Sequence, residues 1–230
     1  MLWSGGPLET TLDPPDEGIL RTIAMAPDTM VIMAQPAGLI ERSDSLLVVV
    51  DLQPGFFGGT TEDEPTGLPA AAARAAWLVG VAAAIGVPVL VTEEDSARNG
   101  PTYPVLLERA PAGTRAIGKR VFGLVDQPDI LAAIDATGRR TTILMGAETD
   151  VCVAQSALGL LARGFHVAVV TDATFSPGEM HELGLRRMRG AGVVELHAKG
   201  VYYEWIRTLS EARRFQAAHP DLASPPGFVL

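Results

Sequence analysis

A chain of 230 residues is long enough for one domain with a sizeable buried core. With 47% hydrophobic and 20% charged residues it is neither a disordered, a collagen-like nor a disulfide-scaffold chain. The net charge of -9, from 18 Lys and Arg against 27 Asp and Glu, speaks against a nucleic-acid or anionic-membrane partner, since both need clustered cations.

Residues 1–43 are rich in Pro, Gly and Met without sustained periodicity and read as a partly irregular arm. Asp13, Asp16 and Glu17 fall where a signal peptide would be basic, and no apolar run approaches the roughly 20 residues of a membrane span. One cysteine, Cys152, cannot form an internal disulfide and fits a reducing compartment. The expected location is the cytoplasm.

Residues 44–210 carry a regular alternation. The run 46–50 is short, apolar and β-branched, the pattern of a strand buried on both faces of a parallel sheet, and it ends at Asp51. Residues 69–85 set Ala73, Trp77, Val81 and Ala84 at helical spacing, and Gly86 stops them. A second strand is expected at 87–92, followed by a long acidic loop, 93–113, of the kind that often carries function. After a short apolar stretch at Ala116 and Ile117 comes a helix over 127–137, with Pro128 and Asp129 in its first turn. Then follow a strand at 141–145, a helix over 150–163, a strand at 165–170, a helix over 177–189, a strand at 193–196 and a helix over 202–214. Residues 211–230 read as a tail rich in turn chemistry. The series predicts an α/β fold, a doubly wound, mostly parallel sheet with helices on both faces. Ligands on such sheets bind beyond the carboxyl ends of the strands, which selects Asp51, Glu93, Lys119 and the turn 146–152.

Several chemistries lack their residues. Residues 113–119 match the start of a phosphate-binding loop, but Arg120 stands where Ser or Thr must ligate magnesium, and no helix is expected to follow. There is no GxGxxG for a dinucleotide and no GxSxG for a serine hydrolase. The four histidines, His166, His181, His197 and His219, lack metal-site spacing, and the triplet Glu93-Glu94-Asp95 reads as solvated surface rather than a cation site. No cofactor or metal is expected.

Cys152 remains. A lone cysteine is commonly a small buried hydrophobe. Here it falls in the first turn of the helix after the 141–145 strand, where unpaired N-H groups and the helix dipole favour a thiolate and hold an oxyanion. Asp51, at the end of a buried strand, is placed to act as a base, its plainer reading being a turn cap, and Lys119 could supply positive charge unless it is ordinary surface.

Four stretches in sequence, Leu47-Val-Val-Val-Asp51-Leu-Gln53-Pro-Gly-Phe56, Gly118-Lys119-Arg-Val-Phe122, Gly146-Ala-Glu-Thr149-Asp-Val-Cys152-Val153 and Val169-Val-Thr-Asp172-Ala173, resemble the isochorismatase-like cysteine hydrolases. The resemblance spans residues 44 to 200 and implies that family's fold. It implies Asp51 as general base, Lys119 as charge stabiliser and Cys152 as the nucleophile forming a thioester. It implies a cis peptide between Ala147 and Glu148, with the backbone N-H groups of Glu148 and Cys152 as oxyanion hole. The metal-binding Asp-x-His of the nicotinamidase branch is replaced by Thr92-Glu93-Glu94-Asp95, and true isochorismatases lack the cysteine, so the metal-free amidohydrolase branch is the nearest. The expected activity is hydrolysis of a small amide or carbamoyl compound by a homo-oligomer. Gln53, Phe56, Phe57, Glu93, Tyr103, Phe122 and Phe175 are candidate pocket residues. A catalytically idle assembly protein with an interacting arm, and an ether or ester hydrolase, are the alternatives.

Overall fold

A computed structural model describes residues 38–56 and 67–230. The described residues form one compact unit; most of the expected arm, and Phe57, lie outside the described residues. The strands are β1 (Ser45–Val50), β2 (Val89–Glu94), β3 (Ala116–Lys119), β4 (Thr141–Ala147), β5 (His166–Phe175) and β6 (Val194–Leu196). They form one parallel sheet in the order β3-β2-β1-β4-β5-β6. The order reverses between β1 and β4, so a crevice opens beyond their carboxyl ends.

The run Leu46 to Val50 is apolar throughout because both faces of β1 are covered. Leu47 and Val49 enter one core cluster with α1 (Leu68–Ile85), whereas Leu46, Val48 and Val50 enter the other, with Ile130 and Ile134 of α4 (Pro128–Ala136). The second cluster also takes Leu160 of α5 (Ala154–Ala162) and Met188 of α6 (Met180–Gly190). Helix α1 is 18 residues long with a mean hydropathy of 1.6, enough for a membrane span by composition, but most of it is buried against the sheet as a core helix.

The structure moves several expected boundaries. Strand β2 runs to Glu94 instead of stopping at Thr92, because Glu93 and Glu94 continue the parallel pairing with Gly118 and Lys119. Two short helices, Ser96–Asn99 (α2) and Pro104–Arg109 (α3), occupy the expected loop 93–113. The expected helix 202–214 is two, Ala198–Trp205 (α7) and Leu209–Ala218 (α8), because Thr208 caps the second by accepting from the Glu211 N-H. The segment after residue 210 belongs to the compact unit: Leu222 is buried, and its carbonyl accepts from Trp77 Nε1 at 2.8 Å. Gly80 permits this approach, since a Cβ there would lie 2.9 Å from Leu222 Cδ2.

Candidate active site

Four strand ends meet at the crevice. Asp51 follows β1 in the left-handed region at φ 51, a conformation that Asp tolerates better than most residues. Glu94 and Lys119 end β2 and β3 as a register pair, and Cys152 lies in the turn after β4. Lys119 and Asp51 are 0% exposed and Cys152 2%, so elementary electrostatics requires each charge to be paired.

They are paired with one another. Lys119 Nζ lies 2.9 Å from Asp51 Oδ2, 3.3 Å from Glu94 Oε2 and 3.5 Å from Cys152 Sγ. It also donates to the carbonyls of Val121 at 2.5 Å and Phe122 at 3.3 Å. The Thr92 hydroxyl donates to Asp51 Oδ1 at 2.7 Å, and the Cys152 thiol donates to Glu94 Oε2 at 3.1 Å. Donor atoms of Asp51, Glu94 and Cys152 lie within 4.8 Å of one another, a spacing able to hold a cation, and here the Lys119 ammonium supplies positive charge to all three.

The charges tune one another. Burial would drive Lys119 towards its neutral form, but Asp51, the cysteine and Glu94 outweigh it and hold the ammonium above its ordinary value. Burial pushes Asp51 up, with Lys119 pulling the other way. Burial, followed by the Asp51 charge, pushes the Cys152 thiol well above the ordinary range against the pull of Lys119, with Glu94 adding to the rise. The thiolate expected from the helix start is therefore corrected: between two carboxylates and one ammonium, burial holds the proton on sulfur until something takes it.

The Lys119 shift has a consequence for stability. The folded state keeps a proton that the unfolded chain releases near 10.5, so this stabilisation is full below that pH and falls as pH rises beyond it. The denaturant midpoint should drop more steeply as pH rises above about 10.5 in the wild type than in an Asp51→Asn/Lys119→Met double variant. Parallel curves would contradict the pairing.

The turn carrying the cysteine also departs from expectation. Thr149–Val153 form a wide π turn before α5 begins at Ala154, so the expected uninterrupted helix from residue 150 is absent. Helix α6 and the end of β5 hold this turn. Thr149 Oγ1 bonds His181 Nδ1 at 2.9 Å, Ser176 Oγ donates to Asp150 Oδ1 at 2.6 Å, and a Cβ on Gly184 would lie 2.8 Å from Asp150 Cα. The peptide bond between Ala147 and Glu148 is cis. Burial, with Asp150 and Glu94 nearby, raises the Glu148 carboxyl above its ordinary range.

The expected pocket residues fare unequally. Gln53 is fully buried and clamps the end of β2, accepting from the Glu94 N-H at 2.7 Å and donating to the Glu94 and Gly100 carbonyls at 3.1 and 2.5 Å. Its amide is thus spent on the framework rather than on a pocket wall. Glu93 likewise turns to the following loop, its Oε1 accepting from the Thr102 N-H at 2.8 Å. Phe56, Tyr103 and Phe175 pack against the core cluster that includes α1, and Phe122 is 53% exposed beside the Lys119 anchor. Residues 113–119 are not a phosphate loop, because 116–119 are a strand and the next α-helix after them starts only at Pro128.

Glu94, Thr92 and the Gln53 clamp escaped the sequence reading. Side chains alternate along a strand, so extending β2 by two residues and pairing Glu94 with Lys119 would have found the carboxylate.

Comparison with known proteins agrees with this fold. The isochorismatase domain model matches residues 45–198. The rat isochorismatase domain-containing protein 2 is 32% identical over 186 residues, covering 80% of each chain. The structure of the Caenorhabditis elegans MAR1 ribonuclease superposes with a TM-score of 0.71 at 25% identity, covering 84% of this chain and 98% of that one. The Escherichia coli YcaC product, described as an octameric hydrolase of unknown specificity, superposes with a TM-score of 0.68 at 28% identity, covering 82% and 94%. With the family model matching residues 45–198 and a relative 32% identical over 80% of each chain, the chain belongs to the isochorismatase family.

Proposed function

We propose that the chain hydrolyses a carbon-nitrogen bond of a small amide or carbamoyl compound through a thioester on Cys152, without a metal. The observation that carries this reading is the buried thiol held 3.5 Å from an ammonium and 3.1 Å from a carboxylate, a nucleophile beside both its charge partner and a proton acceptor. The thiol proton passes to the carboxylates that ring Lys119, the part for which the family resemblance names Asp51. Sulfur attacks the carbonyl carbon, and the backbone N-H groups of Glu148 and Cys152 receive the oxyanion. The carbon-nitrogen bond breaks, and the nitrogen leaves protonated as ammonia or an amine. Water then attacks the thioester, releasing the acid and restoring the thiol. Lys119 remains charged throughout and offsets the negative charge that passes from sulfur to oxygen.

The name of the Caenorhabditis elegans relative raises phosphodiester cleavage as another possibility. A site that sets the buried Asp51 close to the carboxylates of Glu94 and Glu148, in a chain of net charge -9, suits a neutral amide better than a polyanion.

The test is ammonia release from a panel of small amides and carbamoyl compounds. The wild type should turn over at least one, and Cys152→Ala should lower that rate by about 10⁴-fold or more while keeping its circular dichroism and melting temperature. A Cys152→Ala variant that retains the wild-type rate would remove the thioester from the mechanism.

A further inference from the structure

We propose that Glu94 determines specificity at this site, by pairing with an ammonium group that the substrate carries one or two carbons from its scissile carbonyl. Resting on the thioester reading above, in which Asp51 keeps the part of base that the family resemblance gives it, this narrows the substrate to an amide neutral at the scissile group and cationic beside it. Of the four side chains in the cluster Glu94 is the outermost, at 22% exposed against 0% for Asp51 and Lys119 and 2% for Cys152. A carbonyl carbon that reaches Sγ therefore passes the Glu94 carboxyl, whose Oε2 lies 3.1 Å from that sulfur. Once the carbon-sulfur bond forms, atoms one or two bonds from the carbonyl come within hydrogen-bond reach of the same carboxyl. Gln53 grips the Glu94 backbone through its N-H and its carbonyl, so the end of β2 holds the carboxyl at this place beside the thiol.

Charge decides which group fits there. Asp51 and Glu94 bring two negative charges to one positive charge on Lys119, so the cluster carries one negative charge in excess while the thiol is protonated. Moving the thiol proton onto a carboxylate leaves that sum unchanged, and the site stays one positive charge short throughout acylation. Among the described residues, Lys119 is the cation in each ion pair of the cluster. The neighbouring Arg120 is 80% exposed and paired with Asp95 at 3.6 Å, and Glu148 adds a further carboxyl near Glu94.

The hydrogen bonds agree with the charges. In the resting site Glu94 Oε2 accepts from the thiol at 3.1 Å and from Lys119 at 3.3 Å. When the thiol gives up its proton, the carboxylate loses one of these donors and is left beside a negatively charged sulfur. An ammonium on the substrate restores a donor and opposes both negative charges. An alkyl group there would cover the carboxylate without pairing it, and an anionic group would add repulsion.

The experiment reads this preference first at the thiol, without turnover. Three methanethiosulfonates place an ethylammonium, an ethyl or an ethylsulfonate group on Cys152, each forming a mixed disulfide and releasing methanesulfinate. Rates are divided by those of 2-mercaptoethanol, so that the reagents' own reactivities cancel. The wild type should favour the ammonium reagent over the ethyl reagent by about tenfold or more, and should disfavour the sulfonate. Glu94→Gln should bring the ammonium-to-ethyl ratio to within about threefold of unity while the ethyl rate holds or rises. Glu94→Asp, which keeps the charge, should retain part of the preference. Glu148→Gln should shift the ratio by less than about threefold, which separates pairing with Glu94 from the general negative field.

Ammonia release from glycinamide, propionamide and malonamate, which differ in charge at one position, then reads the same preference in turnover. In the wild type kcat/KM for glycinamide should exceed that for propionamide by about tenfold or more, and Glu94→Gln should lose this advantage mainly through KM. An ammonium preference absent from the wild type, unchanged in Glu94→Gln, or lost equally in Glu148→Gln would overturn selection by Glu94. So would a fall in all three labelling rates together, the mark of a merely structural role. A Glu94-dependent preference at the thiol with none of the three amides cleaved would uphold the selection and overturn the carbon-nitrogen reading instead. A thiol that reacts with none of the three reagents would overturn both.

Discussion

Replacing Lys119 by methionine is expected to produce the largest combined loss, in stability and turnover together. The methionine fits the volume of the stem but leaves Asp51 without its counter-charge at a fully buried position. Breaking a buried pair from one side costs about 3–5 kcal/mol, whereas removing both charges is often close to neutral. The Asp51→Asn/Lys119→Met double variant should therefore recover most of the lost stability in urea unfolding. It should not recover activity, because the oxyanion and the displaced negative charge still lack their ammonium, a loss worth about 100-fold or more. A single variant as stable as wild type would mean that the pair is less buried or less coupled than its 2.9 Å contact indicates.

Gly146→Ala is expected to be nearly as damaging, for a reason unconnected with charge. Gly146 has φ 145, and a Cβ built there would lie 1.9 Å from the Val50 carbonyl oxygen on the neighbouring strand. Neither backbone can yield without breaking the β1 to β4 ladder, in which Val50 and Gly146 are partners. The pairing of β4 with β5 also shifts register between Leu144 and Gly146, so the residue sits at the irregularity that leads into the turn bearing Cys152. The cost should exceed about 3 kcal/mol, and the variant that does fold should show slower cysteine labelling, because the turn has moved. Wild-type melting and labelling in Gly146→Ala would rule out the close approach.

Much of this was legible in the chain. The apolar run 46–50, the alternation of elements and the glycines at their ends carry the parallel α/β sheet, because burial on both faces leaves so plain a mark on sequence. Asp51 stood out as a carboxylate ending a buried strand, Cys152 as the one cysteine at an expected helix start and Lys119 as a cation at the same edge of the sheet, and the structure supplies each to the others. Glu94 was hidden by one residue. The sequence selected Glu93, whereas the strand continues and its alternation turns Glu94 to the thiol and Glu93 to Thr102. The π turn at Thr149–Val153 left no local signature because it depends on Gly184, Ser176 and His181, which come from distant parts of the chain. The expected low thiol pKa failed similarly. A helix start favours a thiolate by a modest amount, and desolvation beside two carboxylates outweighs it.

The most direct test of the account is the intact mass of the protein quenched during turnover of an amide found in the substrate panel. The expected result is a covalent adduct with the mass of the substrate's acyl portion, mapped to Cys152, discharged by hydroxylamine and absent from Cys152→Ala. Sustained turnover with no adduct on rapid quenching, together with an active Cys152→Ala variant, would contradict nucleophilic catalysis by this cysteine.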